Sequence, residues 1–259
     1  MLAEAVDLRA EADDFHALLS MLDEKTWWQP TPFKGWTPFD VVAHLHHGDK
    51  AATLAIADPP GFQRFLEARK GKPRPASERE LVETRDPLVL LATWRSMLQE
   101  LSERIGGMPP DARVAWVGPP MGVRTFAAAR LMEVWAHAQD VYDLLRRPRV
   151  HHDRIRAIAE LGVRTFGFTF TNRGQKPPAT KPYVRLDAPS GAIWEWNPPS
   201  ESDRIGGSAV EFCQVVTQGR NIRDTKLEVA GDAAKRWMEI AQCFAGAPSD
   251  PPKPGERAW

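Results

Sequence analysis

The chain has no run of about eighteen consecutive apolar residues anywhere in its 259 positions, so no membrane-spanning helix is predicted. An excess of one charge is missing as well. Thirty-four Lys and Arg balance thirty-four Asp and Glu, for a formal net charge of +0. The arginines are scattered along the chain, which leaves no basic footprint for a nucleic-acid backbone. Cysteine is scarce: Cys213 and Cys243 are the only two, too few for a disulfide scaffold. Both sit in apolar helical contexts, FCQVV and AQCFA, and read as reduced core thiols rather than nucleophiles. The opening stretch MLAEAVDLRAEADDF has neither the basic region nor the apolar core of a signal peptide, so the expected location is cytoplasmic. No internal repeat is visible. What is present is 42% hydrophobic and 26% charged, ordinary for a soluble globular chain of one large domain or two modest ones.

Helical periodicity dominates the first half. Val6, Leu8, Ala12, Phe15, Leu18, Leu19 and Leu22 mark a helix over roughly residues 3 to 23. After the irregular WWQPTPFKGW, the sequence TPFDVVAHLHHGDKAATLAIA predicts a helix over 38 to 57, with Thr37 as N-cap, Pro38 at the first position and Asp40 completing a capping box. Residues 58 to 85, rich in Pro, Gly, Arg and Glu, read as loop around a short helix at 61 to 69. DPLVLLATWRSMLQELSERIGG is a third long helix ended by Gly106 and Gly107. A short strand and turn follow, and TFAAARLMEVWAHAQDVYDLLRR is a fourth long helix, with Thr125 as its expected cap and Pro148 beyond its end. Four long helices predict a bundle over residues 1 to 148. Beyond it the pattern changes to one helix (HHDRIRAIAELGVRTFGFTF), the strand-like YVRLDAP, AIWEWNPP and KLEVAG, and two more helices. Residues 149 to 259 therefore read as a smaller α+β domain, with the Pro-rich tail SDPPKPGERAW running over its surface.

Chemistry concentrates in RLMEVWAHAQD, residues 130 to 140. Glu133 and His137 are four apart and share one face of a helix that is otherwise apolar. A buried carboxylate and imidazole are costly unless paired or bound to metal, and bundle cores build metal sites from such spacing. A third ligand must come from another helix, and AHLHHGD offers His44, His46 and His47. His44 lies on the face of Asp40, with His47 one turn on; His46 is rotated away by about 200°. One of these imidazoles with Glu133 and His137 makes a His₂-carboxylate set, with an open position suited to catalysis. Asp140, three residues past His137, can accept the other imidazole N–H and fix its tautomer. A local hydrogen bond and surface histidines are the competing reading of the same spacing.

GWTPFDVVAHL, followed about ninety residues later by EVWAHAQD, resembles the N-terminal domain of the mycothiol-dependent maleylpyruvate isomerases, within the DinB-like metal-binding four-helix bundles. The resemblance rests on a Gly-Trp-Thr turn, a helix carrying Ala-His-Leu, and Glu-x-x-x-His with Asp three further on. It implies His44, Glu133 and His137 as the ligands of a divalent ion, zinc first among the candidates, with Asp140 behind His137. It also implies a sterol-carrier-like α+β fold for the C-terminal part, as a divergent branch of the family.

The implied activity is that of a metal-dependent, thiol-cofactor isomerase or S-transferase. A mycothiol-type thiol, held by the metal as thiolate, would attack a small electrophile. Addition and elimination across a double bond isomerises; a retained adduct makes a transferase. A metal-dependent hydrolase on the same site and a non-catalytic small-molecule binder are the alternatives. Trp36, with Trp27, Trp28, Trp194 and Trp196, is a candidate for stacking on the sugars of such a cofactor. Arg220 and Arg223 in TQGRNIRDTK are candidates for holding a carboxylate. His151 and His152 read as surface or capping residues, and His16, beside Phe15, as an ordinary residue of the first helix. The expected partners are the thiol and the electrophile, with no nucleic acid or membrane, and the expected assembly is a monomer or homodimer.

Overall fold

The computed structural model describes residues 1 to 70 and 78 to 257. The chain divides into two compact units, Met1–Leu145 and Arg146–Trp259.

The first unit is helical. Its elements are α1 (Ala3–Leu19), α2 (Pro38–Ala57), α3 (Pro59–Arg69), α4 (Pro87–Gly106), the strands β1 (Arg113–Trp116) and β2 (Gly118–Gly122), and α5 (Val123–Leu145). One local device starts three of these helices: an oxygen-bearing cap followed by proline. Thr37 accepts from the Asp40 amide, Asp58 from Gly61, and Asp86 from Leu88 and Val89. The proline after each cap has no N–H to leave orphaned and brings a helical φ. At α2 the capping box is complete, since the Asp40 carboxylate accepts from the Thr37 N–H at 2.9 Å. Asp58 also closes α2, its own N–H reaching the Leu54 carbonyl at 2.9 Å, so α3 begins two residues earlier than the 61 to 69 of the sequence reading.

Helices α1, α2, α4 and α5 pack into the bundle, α1 against α4 and α5, and α2 against α4 and α5. Their interior stripes meet in a core of Leu8, Phe15, Phe39, Val42, Leu45, Trp94, Leu98 and Leu101, with Phe15 edge-on to Trp94 at 5.9 Å. α5 is buried almost all round, through Phe126, Leu131, Val134, Trp135, Ala138 and Val141. A helix apolar on every side belongs in a bundle's middle. The expected cap Thr125 is not one: the β1–β2 hairpin hands the chain straight into α5 at Val123, whose N–H bonds the Ala112 carbonyl at 2.8 Å. In the Pro-rich stretch a 3-10 turn forms at Glu78–Leu81. The part of the expected loop at residues 71 to 77 lies outside the described residues.

The second unit is a small α+β fold. The strands β3 (Tyr183–Asp187), β4 (Ile193–Trp196), β5 (Arg204–Ser208) and β6 (Glu228–Ala230) form one sheet in the order β4-β3-β5-β6. β3 pairs antiparallel with β4 and parallel with β5; β6 pairs antiparallel with β5. The helices are α6 (Arg156–Arg164), α7 (Phe166–Thr171), α8 (Ala209–Val216) and α9 (Asp232–Ile240). The single helix expected over HHDRIRAIAELGVRTFGFTF is two. His151 and His152 precede it, and at Thr165 the hydroxyl bonds back to the Leu161 carbonyl at 2.8 Å where α6 ends and α7 begins. Phe166, Phe170, Phe212 and Trp237 make the aromatic core. The tail is strapped down rather than merely laid over the surface. Asn221 donates to the Pro252 carbonyl at 2.8 Å, the Gly255 N–H reaches Asp224, and Ser249 donates to Gln218 at 2.6 Å.

Candidate metal centre

The capping box sets where α2 starts, and so where its second turn faces. His44 follows Asp40 by one turn and projects toward α5, which presents Glu133 and His137 on one face. His44 Nε2 lies 3.3 Å from Glu133 Oε2, and His137 Nε2 lies 3.6 Å from the same oxygen. One ligand-capable atom from each of the three falls within 4.8 Å of the others. The two imidazoles meet edge to face, with centroids 4.7 Å apart.

Each imidazole is also held from behind. His137 Nδ1 donates to Asp140 Oδ2 at 2.9 Å, and His44 Nδ1 donates to Glu78 Oε2 at 3.0 Å. With each Nδ1 so engaged, it is the Nε2 atoms that turn inward, toward a shared carboxylate oxygen. Two imidazole nitrogens and a carboxylate converging on one point repel unless a proton or a cation lies among them. The donor set therefore fits a divalent metal: borderline nitrogen and hard oxygen, a carboxylate accepting from each imidazole's outer N–H, and fewer than four protein ligands.

An aromatic wall closes one side. Lys34 (φ 52°) and Gly35 (φ 68°) take left-handed conformations in succession and reverse the chain. Glycine is needed at 35 for that φ rather than for space, since nothing lies within 4 Å of where its Cβ would be. The Thr31 N–H bonds the Trp36 carbonyl at 2.7 Å and closes the loop. Trp36 then stacks on His137 at 5.7 Å and leans on His44 at 5.2 Å, while Phe33 meets His137 edge-on at 5.1 Å. The side chains of His44 and Glu133 stay about a quarter exposed, at 25% and 26%, so a ligand can reach them.

The electrostatics bind the group together. Burial works against the charge on His44, but hydrogen bonds to Glu133 and Glu78, and their negative charge, raise its pKa to about 9. Burial likewise opposes ionisation of Glu133, yet the hydrogen bond from His44, with the positive charge of His44, Arg130 and His137, lowers it to about 2. Deeper in the bundle Arg130 donates to Asp49 at 2.9 Å, and the Trp94 indole donates to the same carboxylate at 3.0 Å.

His46 and His47 do not join the cluster; His47 packs against Phe65 at 5.5 Å. Trp27 and Trp194 are core residues, Trp28 stacks on Phe39, and Trp196 is half-buried beside Trp194. Arg220 is buried, with Nη1 donating to the Gly219 carbonyl at 2.8 Å, whereas Arg223 is exposed. Cys213 and Cys243 are buried. Burial, reinforced by the neighbouring Cys243, pushes the Cys213 thiol well above its ordinary value, as befits an inert core residue. Glu78 and Phe33 are the members of the centre that sequence reasoning missed.

A helical bundle bearing a His-Glu-His cluster, followed by a small mixed-sheet unit, defines the class: an α+β protein with a candidate metal centre in its bundle. The comparisons with known proteins name the family. Residues 8–142 match the family model of the mycothiol maleylpyruvate isomerase N-terminal domain, and the chain belongs to that family. It is 40% identical over 244 residues to uncharacterized protein Rv0036c of Mycobacterium tuberculosis (strain ATCC 25618 / H37Rv), covering 93% of this chain and 95% of the relative. Uncharacterized protein MT0041 of Mycobacterium tuberculosis (strain CDC 1551 / Oshkosh) matches to the same extent, 40% over 244 residues. Among solved structures, the crystal structure of the mycothiol-dependent maleylpyruvate isomerase superposes with a TM-score of 0.52 at 18% identity, covering 82% of this chain and 86% of that one. A mutant of that isomerase matches equally well, with a TM-score of 0.52 at 17% identity. At such identities the superposition establishes the shared fold.

Proposed function

We propose that the chain is a metal-dependent enzyme working with a mycothiol-type thiol, an isomerase or S-transferase acting on a small electrophile. One observation carries this reading: His44 Nε2, His137 Nε2 and Glu133 Oε2 converge while Glu78 and Asp140 hold both Nδ1 atoms. These three residues are the proposed ligands, with zinc the first candidate. A divalent ion held there would bring a thiol of ordinary pKa ~8.5 to its thiolate at neutral pH.

The protein's own groups do the rest. Asp140 fixes the His137 tautomer and keeps its Nε2 lone pair directed inward. Trp36 and Phe33 screen one side of the site from water and present aromatic faces on which a cofactor's sugars can stack. The quarter-exposed faces of His44 and Glu133 are where thiol and electrophile meet. Arg223, exposed in the 149 to 259 domain, is proposed to recognise an anionic group of cofactor or substrate. The buried cysteines take no part. The enzyme is proposed to work in the cytoplasm as a monomer or homodimer.

The test is a zinc-loaded activity screen with and without a low-molecular-weight thiol, using an activated cis-alkene carboxylate and a simple aromatic electrophile. The expected result is turnover only with thiol, lost in His137→Ala, with a trans product marking an isomerase and a stable thioether marking a transferase. Turnover without thiol would replace this reading with a metal-dependent hydrolase. No turnover by a metal-loaded protein that still binds the thiol would replace it with a binding module.

A further inference from the structure

Glu78 and Arg79 are adjacent, and both reach the same helix. Arg79 Nε donates to Asp40 Oδ1 at 2.8 Å, and its Nη2 donates to Asp40 Oδ2 at 2.6 Å and to Thr37 Oγ1 at 3.1 Å. The guanidinium also lies over the rings of Trp28 and Phe39, at 5.4 and 5.7 Å. Asp40 is nine-tenths or more buried, so this is a bidentate pair at the N-terminus of α2 rather than a loose surface contact. Glu78 reaches one helical turn further along α2, to His44 Nδ1 at 3.0 Å, and is itself only 10% exposed. The two residues thus span the turn from Asp40 to His44. The first grips the cap and the second grips the imidazole.

We propose that Glu78 is a positioning residue of the metal centre, delivered to His44 by the anchor that Arg79 makes on the cap of α2. The proposal rests on the metal-centre reading above. His137 takes its orienting carboxylate from its own helix, three residues on, where the position costs nothing extra to hold. His44 has its orienting carboxylate on a separate segment, thirty-four residues away in sequence. Its orientation therefore depends on docking of the Glu78–Leu81 turn. Without Glu78 the His44 ring can rotate about its side-chain bonds, and either nitrogen can carry the proton. With it, Nδ1–H is fixed and Nε2 faces Glu133 and His137. Orienting partners of this kind typically contribute 10–100-fold to metal affinity.

The experiment measures zinc affinity of the full chain by competition with a chromogenic chelator, beside a thermal melt of each metal-free protein. The proteins are wild type, His44→Ala, Glu78→Ala and Glu78→Gln. Expected are tight zinc binding by wild type, none at His44→Ala, a loss of about 10–100-fold at Glu78→Ala, and recovery of most of it at Glu78→Gln, whose amide oxygen still accepts from Nδ1–H. A purely structural role would lower the melt and leave the affinity of the folded protein unchanged. If Glu78→Ala does not fold, Glu78→Leu, which fills the same space without an acceptor, carries the same measurement. Wild-type affinity in the folded Ala or Leu variant overturns the proposal and leaves the metal-centre reading standing. Equal, weak binding by wild type and His44→Ala overturns both.

Discussion

The buried Asp49–Arg130 pair joins α2 to α5 in the interior of the bundle. Asp49 is fully buried on α2 and the Arg130 side chain on α5 is 6% exposed; Oδ1 accepts from the guanidinium at 2.9 Å and Oδ2 accepts from the Trp94 indole at 3.0 Å. The pair is fitted closely: a Cβ at Gly48 would lie 2.9 Å from Arg130 Nη2, so glycine makes room for the guanidinium across α2. Asp49→Ala removes one partner and strands the other. Uncompensated burial of a cation after such a cut costs about 3–5 kcal/mol. The orphaned indole N–H adds about 1–3 kcal/mol, part of it shared with the first loss. A net loss of about 4–6 kcal/mol follows, against a typical total of about 5–15 kcal/mol. Urea unfolding followed by tryptophan fluorescence and far-ultraviolet dichroism reads it directly. Asp49→Leu combined with Arg130→Met should recover most of the loss, since replacing both members of a buried pair by apolar residues is often neutral. A single variant within about 1 kcal/mol of wild type, or a double variant as unstable as the single, would show that the buried pair does not carry this stability.

The site should show its electrostatics in pH dependence. The folded His44 pKa of about 9 exceeds the ordinary 6.5, so the metal-free protein holds the full stabilisation below about 6.5 and loses it as pH rises toward 9. The folded Glu133 pKa of about 2 is below the ordinary 4.5, so its contribution is full above 4.5 and fades as pH falls toward 2. Denaturation midpoints of metal-free wild type, compared with His44→Ala across pH 6 to 9.5, check the first; a flat difference would contradict it. Asp140→Ala, which removes the acceptor 2.9 Å from His137 Nδ1, should weaken zinc binding about 10–100-fold in a chelator competition with little change in helical content.

Much of this centre is written in local spacing, which is why it was legible. Thr37-Pro38 with Asp40 three past the cap states a helix start in four residues, and Glu133, His137 and Asp140 share a helix face at spacings of four and three. His44 needed the family resemblance, because spacing alone left His46 and His47 open. The residues that escaped notice work over distance. Glu78 meets His44 across thirty-four positions, and Arg130 meets Asp49 across eighty-one, with no periodicity joining them. The strand β5 escaped for a related reason. RIGGS carries two glycines and little β propensity, and it is a strand because β3 and β6 pair with it on either side. The break between α6 and α7 falls at Thr165, whose hydroxyl bonds back to the Leu161 carbonyl, a detail apolar periodicity does not register.

If His44, Glu133 and His137 hold one divalent ion, removing one of the three must release it. Elemental analysis of purified wild type beside His44→Ala reads this. About one ion per chain is expected in wild type, and none retained by the variant after dialysis. No metal in either protein after loading with zinc, or equal metal in both, would contradict it.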